Sequence, residues 1–315
     1  MGAQLRHIRA RIKSVKSTAK ITRAQELIAS SRVGKARDRA LAAEPYAKEI
    51  SKAVSALVSH HMKMNHALLN ERPDTSRVAV LVLTSDRGFA GGFNHNVIKH
   101  GQALTAMLVK QGKEPTFYVV GRKGADWFRF RGREMAGSWT GMSGKPEYAT
   151  AAEIGQTLID AFDMPTRDGG VGEVHIVYTE FVTMLTQTPR VTRILPLAVE
   201  EVDEGDEGNE ADEAESAHPL PKAPYEFDPS AQEVLDELLR KYVRSRVWYL
   251  MLSSAAAEHA ARRTAMTAAT ENAHELIDKL TRESNEARQE EITTEITEIA
   301  GGAEALKQHR SNLEK

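Results

Sequence analysis

Between Ser230 and Ala300 the chain carries 71 residues without a proline or a glycine. Apolar or small side chains return every three or four positions in Ala269, Ala273, Leu276, Leu280, Ser284 and Ala287, and again in Ile292, Ile296, Ile299, Ala303 and Leu306, which run on past Ala300. Proline and glycine are the commonest helix breakers, so the stretch predicts one continuous helix, on the order of 105 Å long at about 1.5 Å per residue. No single globular domain buries a helix of that length. The alternation of four and three is the seam of a coiled coil rather than the wider stripe of a helix lying on a domain, and it requires a partner helix. The other end of the chain offers one, with Leu5, Ile8, Ile12, Val15, Ala19 and Thr22 at the same spacing, running on past Pro45 through Ile50, Val54, Leu57 and Val58. Two terminal helices enclosing a globular middle predict an antiparallel coiled coil with a domain inserted at one end; the alternative is two separate helices packed on a core.

The middle changes period. Arg77 to Thr84 (RVAVLVLT) reads as a buried strand, Asn96 to Gln111 as a helix, Pro115 to Val120 as a second strand, Ala149 to Phe162 as a helix, Glu173 to Tyr178 as a third strand and Val191 to Val199 as a possible fourth. Strands alternating with helical patterns imply βαβ units and a largely parallel sheet. The predicted fold class is α/β plus coiled coil: helix 1–60, a Rossmann-like α/β domain 74–199, an acidic disordered loop and linker 200–228, helix 229–306 and a tail 307–315. Trp127, Phe128 and Phe130 stand among Arg129, Arg131 and Arg133. Such a cluster can stack nucleic-acid bases, or it is a helix that packs its rings on the sheet with its arginines in water.

The formal net charge of -2 hides a segregation of charge. Residues 1–40 hold eleven Lys or Arg against Glu26 and Asp38, whereas residues 200–215 hold ten acids and no base. A basic, acid-poor terminal helix suits nucleic acid, an anionic membrane surface, a transit peptide or an acidic protein partner, and composition does not choose among them. There are no cysteines, which excludes disulfides, thiolate metal sites and cysteine nucleophiles. The longest apolar runs, Val78 to Leu83 and Val247 to Leu252, fall far short of the roughly 20 residues that span a bilayer, so any membrane association is expected through a partner.

Thr84 to Asn94 (TSDRGFAGGFN) follows the first strand and opens a helix, the place where an α/β domain commonly holds a phosphate. It is neither G-x-x-x-x-G-K-[ST] nor G-x-G-x-x-G, and the second strand ends in Val120, Gly121 and Arg122 where a dinucleotide fold would present an acid. Its glycines, Gly88, Gly91 and Gly92, suit a tight turn against the sheet edge or another chain. The histidines lack metal spacing, and no catalytic constellation stands out.

Three runs are recognisable: Lys20 to Leu27 (KITRAQEL); Ser85 to Gly88 with Gly91 to Asn94; and Glu258 to Met266 with Ala268 to Ala273. With Ala287 to Gln289, Ile292, Thr293, Glu295 to Ile299 and Gly301 to Ala303, they resemble, in order and from about residue 3 to 306, the gamma subunit of F-type ATP synthase. Ala90, Gln25 and Arg263 depart from the family's usual residues, and the acidic loop and the tail after Leu306 are longer than is common there. The resemblance implies a non-catalytic rotor shaft without cofactor, metal or directly bound nucleotide. Its implied partners are the alpha, beta, epsilon and c-ring subunits, with one copy in each complex. It implies hydrogen ion transport coupled to ATP synthesis, regulation of ATPase activity, and a peripheral place on the cytoplasmic face of the cell membrane. It further implies beta-subunit contacts at Arg23, Gln25, Arg288, Gln289, Thr293 and Glu295, a collar bearing at Ile299, Ala303 and Leu306, and an epsilon or c-ring contact at Tyr225 and Glu226. The reading from another class is a nucleic-acid-binding protein with a basic coiled-coil arm.

Overall fold

The computed structural model describes residues 2–60, 66–197 and 231–313. The acidic loop and linker expected over 200–228, Tyr225 and Glu226 among them, lie outside the described residues. In chain order the elements are α1 (Gly2–His60), β1 (Arg77–Leu83), α2 (Phe93–Lys110), β2 (Glu114–Val120), α3 (Arg122–Phe130), β3 (Gly137–Trp139), α4 (Tyr148–Asp163), β4 (Glu173–Phe181), β5 (Gln187–Leu195) and α5 (Ala231–Leu313). They form two compact units, Arg32–Ala261 and Met1–Ser31 with Arg262–Lys315.

In the unit 32–261 a five-stranded sheet has the order β3-β2-β1-β4-β5. β1, β2, β3 and β4 run parallel and β5 runs antiparallel to β4 at the edge. β1 is apolar at nearly every position because helices cover both faces of the sheet. Its Val78, Val80 and Val82 pack with Val97, Leu104 and Leu108 of α2 and Phe128 of α3. Ala79, Leu81 and Leu83 face the opposite core, with Ile154, Leu158 and Phe162 of α4, Ile50 and Val54 of α1, and Leu235, Leu239, Val243, Val247 and Leu250 of α5. This stretch of each terminal helix therefore serves as a core helix of the α/β unit. β3 is three residues long, too short to display a period in the sequence. The aromatic and arginine cluster forms α3 and the turn after it. Phe128 is buried against the sheet, and the Arg131 guanidinium lies 4.2 Å from the Trp127 ring centre, so these arginines stack on the chain's own rings.

In the unit 1–31 with 262–315 two helices pair. α1 runs toward residue 32 and α5 away from residue 261, so the pair is antiparallel. On α1, Leu5, Ala19, Thr22 and Ala29 are buried and Ile8, Ile12 and Val15 half-buried, which is the seam that the spacing predicts. On α5 the seam runs through Met266, Thr270, Ala273, Leu280 and Ser284, then half-buried Ala287, Glu291 and Thr294. Ile292, Ile296 and Ile299, expected on that seam, are instead 45%, 61% and 72% exposed. The five-residue step from Ala287 to Ile292 turns about 140° off the seam at about 100° per residue, and α1, which runs from Thr22 back only to Gly2, ends opposite about residue 290 of α5, so these isoleucines also lie past the end of the partner helix.

At the centre of this pair Thr22 Oγ1 lies 2.7 Å from Thr270 Oγ1. Each hydroxyl also reaches a carbonyl of its own helix, Ala19 O at 3.1 Å and Met266 O at 2.8 Å. Two protons serve three contacts, so one hydroxyl donates across the pair while the other donates within its helix. Thr22→Val or Thr270→Val alone should destabilise the pair by about 1 kcal/mol, and the double variant should return close to wild type, because an apolar pair leaves no buried hydroxyl without its partner. A double-mutant cycle by urea unfolding measures the coupling.

Candidate functional site

A doubly wound sheet holds its ligand outside the carboxyl ends of the strands where their order reverses, here between β1 and β4. That crevice is occupied by the chain itself: Ala257 of α5 packs there with Ala90 and Phe93, which follow β1, and with Phe181 at the end of β4, and on the other side of β1 the loops after β1 and β2 close on each other. Thr84 Oγ1, just past β1, donates to Val120 O at 2.7 Å and accepts from Gly124 N at 2.9 Å. Gly121 has φ +94, and a Cβ there would stand 2.2 Å from Thr84 O, so only glycine lets the two loops close flush. Leu83, Thr84, Val120 and Ser143 then meet Met251, Ser254 and Glu258 of α5 around a space of about 10 Å³. That is the lower limit for one water molecule.

The anion position is filled as well. Asp86 Oδ1 accepts from Arg122 N at 3.0 Å and Gly141 N at 2.7 Å, and Oδ2 accepts from Ser143 N at 2.8 Å. Asp86 N in turn donates to Ser143 Oγ at 2.8 Å. Arg122 opens α3, so this carboxylate sits where a helix N-terminus would receive a phosphate. Burial opposes its ionisation, but the N–H groups of Gly141, Ser143 and Arg122 outweigh it and hold the carboxyl below its ordinary value. At the opposite end of the sheet, Glu173 accepts from Lys113 Nζ at 2.5 Å and contacts His175 Nε2 at 2.9 Å. Burial again opposes its ionisation, and the bonds from His175 and Lys113 hold it below the usual range. The charges of this second cluster satisfy one another.

The surface residues singled out from the sequence stand on the helical pair. Arg23 is exposed and bonds Glu26 at 2.7 Å along its own helix, and Gln25 is exposed. Arg288, Gln289, Thr293 and Glu295 are all exposed, with the Thr293 hydroxyl donating to Gln289 O at 2.9 Å. Thr22 meets Thr270, so Arg288 lies about 27 Å farther along α5 than the level of Arg23, at about 1.5 Å per residue. The two groups are separate stations on one rod. Ile299 and Ala303 are exposed, and Leu306 lies within α5. Ile21 and Leu27 of α1 are likewise more than half exposed, so large apolar side chains point away from the seam on both helices.

A family model described as "ATP synthase" matches residues 4–306. The ATP synthase gamma chain of Thermobifida fusca is 54% identical over 306 residues, covering 97% of this chain and 97% of that one. The chain belongs to the ATP synthase gamma-chain family. The gamma chain of Parafrankia sp. is 50% identical over 97% of this chain and 99% of its own length. Among solved structures, the rotor of the Euglena gracilis mitochondrial ATP synthase superposes with a TM-score of 0.63 at 18% identity, over 93% of this chain and 100% of that one. The central stalk and c-ring structure from Tetrahymena thermophila gives 0.55 at 18% identity, over 79% of this chain and 99% of that one. At that identity the likeness is one of fold: terminal helices around a central sheet.

Gamma chains are non-catalytic subunits of the ATPase complex, which agrees with a crevice plugged by its own helix. Nothing local in Ser85 to Gly88 marks Asp86 as the group that takes the phosphate's place, because its donors come from Arg122, Gly141 and Ser143. The four-three spacing of the isoleucine stripe fits a seam, yet its residues are exposed, so spacing alone does not tell a stripe for another partner from the seam itself.

Asp86→Asn keeps one acceptor and turns an amide N–H₂ toward a backbone N–H, so it should cost about 1–3 kcal/mol. Because the folded carboxyl lies below its ordinary value, its contribution is fully present above about pH 4 and is lost as pH falls through the folded value. Urea titrations between pH 3 and pH 7 should show wild type and variant converging at the acid end.

Proposed function

We propose that the chain is the central rotor shaft of a proton-translocating F-type ATP synthase, one copy per complex, turning within a ring of alpha and beta subunits and regulating their ATPase activity. The observation that carries the proposal is the helical pair with its large apolar side chains outside. Most of its fully buried positions are small, Ala19, Thr22, Ala29, Thr270, Ala273 and Ser284, beside only Leu5, Met266 and Leu280, and such small side chains bury little apolar area at about 25 cal/mol per Å². Ile21, Leu27, Ile292, Ile296 and Ile299 face outward, where an enclosing partner would cover them. A shaft needs no chemistry of its own. It needs unequal contact free energies with otherwise equivalent partners, so that its angle decides which partner state is populated.

In this reading Arg23 and Gln25 form one beta-subunit station and Arg288, Gln289, Thr293 and Glu295 a second. Ile299, Ala303 and Leu306 turn in the apolar collar at the top, and Tyr225 and Glu226 meet epsilon or the c-ring. No helix among the described residues is long and apolar enough to cross a membrane, in keeping with attachment to the cytoplasmic face of the cell membrane through partner subunits. The nucleic-acid alternative draws no support from α3 and the turn after it, where Arg131 and Arg133 lie 4.2 and 6.0 Å from the Trp127 ring centre.

A pull-down of the tagged chain from its native membranes, with partners identified by mass, should recover alpha, beta and epsilon subunits; recovery alone or with nucleic acid overturns the proposal. Arg288→Ala with Gln289→Ala should lower coupled ATP synthesis several-fold while the subunit still assembles, the scale of losing one or two charge-assisted hydrogen bonds. Synthesis at the wild-type rate in membrane vesicles would return those residues to an ordinary solvated helix face.

A further inference from the structure

Every residue of α5 from Met251 to Ala260 is buried, although the stretch reads Met-Leu-Ser-Ser-Ala-Ala-Ala-Glu-His-Ala. A helix buried on all sides usually holds its place by large side chains interdigitating with their surroundings. From Ser253 to Ala257 this one presents only hydroxymethyl and methyl groups, and its apolar neighbours there, Ala90 and Phe93 against Ala257, form a small cluster of their own. Upstream, Leu239, Val243, Val247, Leu250 and Met251 lock α5 into the core by their bulk, whereas Ser253 and Ala256 border a groove of about 740 Å³ that they share with Phe181 and Tyr249. Over this turn the packing offers little purchase against twisting of the helix, and resistance falls to directional contacts.

Two hydrogen bonds from opposite flanks supply that direction. Phe181 N, at the end of β4, donates to Ser253 Oγ at 3.2 Å. On the other flank His259 Nε2 lies 2.8 Å from Gly144 O; a carbonyl only accepts, so Nε2 carries the proton and donates. Six residues separate Ser253 from His259, which places them about 120° apart around the helix at about 100° per residue. One tie fixes a point on the helix, whereas two ties on different sides also fix its azimuth.

The loop that receives His259 is itself anchored. Ser143, next to Gly144, exchanges two hydrogen bonds with Asp86, and Gly141 donates a third. Gly144 lies so close that a Cβ on it would stand 3.2 Å from His259 Cε1 and 3.7 Å from Glu258 Oε1. The imidazole thus connects α5 through the 141–144 loop to Asp86 and the end of β1. It does so in the last turn before α5 leaves the α/β unit at Ala261.

We infer that His259, bonded to the Gly144 carbonyl, is a positioning residue that keys α5 against rotation in its socket, with Ser253 as the second key, so that torque passes between the α/β unit and the helix. The inference rests on the rotor reading given above. Ring volume is not what matters; the N–H is. His259→Gln keeps a side-chain N–H donor and preserves the key, while His259→Phe fills the space without it.

The test uses the chain assembled with its alpha and beta subunits and immobilised through beta. The chain has no cysteine, so Gln102→Cys on the exposed surface of α2 gives one attachment point for a bead on the α/β unit. The width of the bead's angular fluctuation during pauses in ATP-driven rotation reports torsional compliance. H259A and H259F should widen that distribution and H259Q should leave it at the wild-type width. Equal widths in all four, or H259Q as wide as H259A, overturn the key. If H259A and H259F do not assemble, S253A is measured instead: widening supports the key, and an unchanged width overturns it. A bead on the wild-type chain that never rotates in the assembled complex refutes the rotor reading itself, which separates that failure from failure of the key.

Discussion

The structure depends on one packing constraint: a helix must pass through the carboxyl edge of a parallel sheet, where the strand order reverses. Only small side chains allow it. Ser253, Ser254, Ala255, Ala256 and Ala257 are all buried, and their closeness to the ends of β1 and β2 leaves about 10 Å³ between Thr84, Ser143 and Glu258. The same threading removes the ligand crevice that the fold would otherwise offer. A Rossmann-like architecture has in effect exchanged a binding site for a helix socket.

Asp86 completes that exchange. The N-terminus of α3 and the loop after β3 present N–H groups toward one point, which elsewhere attracts a phosphate. Here a carboxylate from the chain receives Arg122 N, Gly141 N and Ser143 N, and the acid is held ionised against burial. The bonds that close the site also hold the loop carrying Gly144. Closure of the crevice and anchoring of α5 are thus one network of polar contacts rather than two.

The helical pair follows an opposite economy of side chains. Its fully buried seam is mostly alanines, threonines and serines, with Leu5, Met266 and Leu280 as its large members and a hydroxyl pair at Thr22 and Thr270, so the helices approach closely but bury little. Apolar bulk sits outside, on Ile21, Leu27, Ile292, Ile296 and Ile299. A two-helix rod of this kind draws little stability from its own interface, and its exposed isoleucines suit enclosure by larger partners.

The sequence alone determined the long helices, the buried strands and their order, though not the three-residue β3. Long stretches free of proline and glycine make helices whatever surrounds them, continuous apolar runs between turns make buried strands, and the four-three spacing from Leu5 to Thr22 identifies the seam of α1, because each of these signals is local. The runs quoted around Thr22, Asp86 and Glu258 also sufficed for the family. Tertiary structure decided the rest. Whether Ile292 lies on the seam or off it depends on a five-residue step and on where the partner helix ends. Whether Leu235 to Leu250 form a coiled coil or a domain core depends on the sheet being there to cover them. Asp86 and His259 find their partners across 36 to 115 residues, and a hydrogen bond between groups so far apart in the chain leaves no period in either stretch.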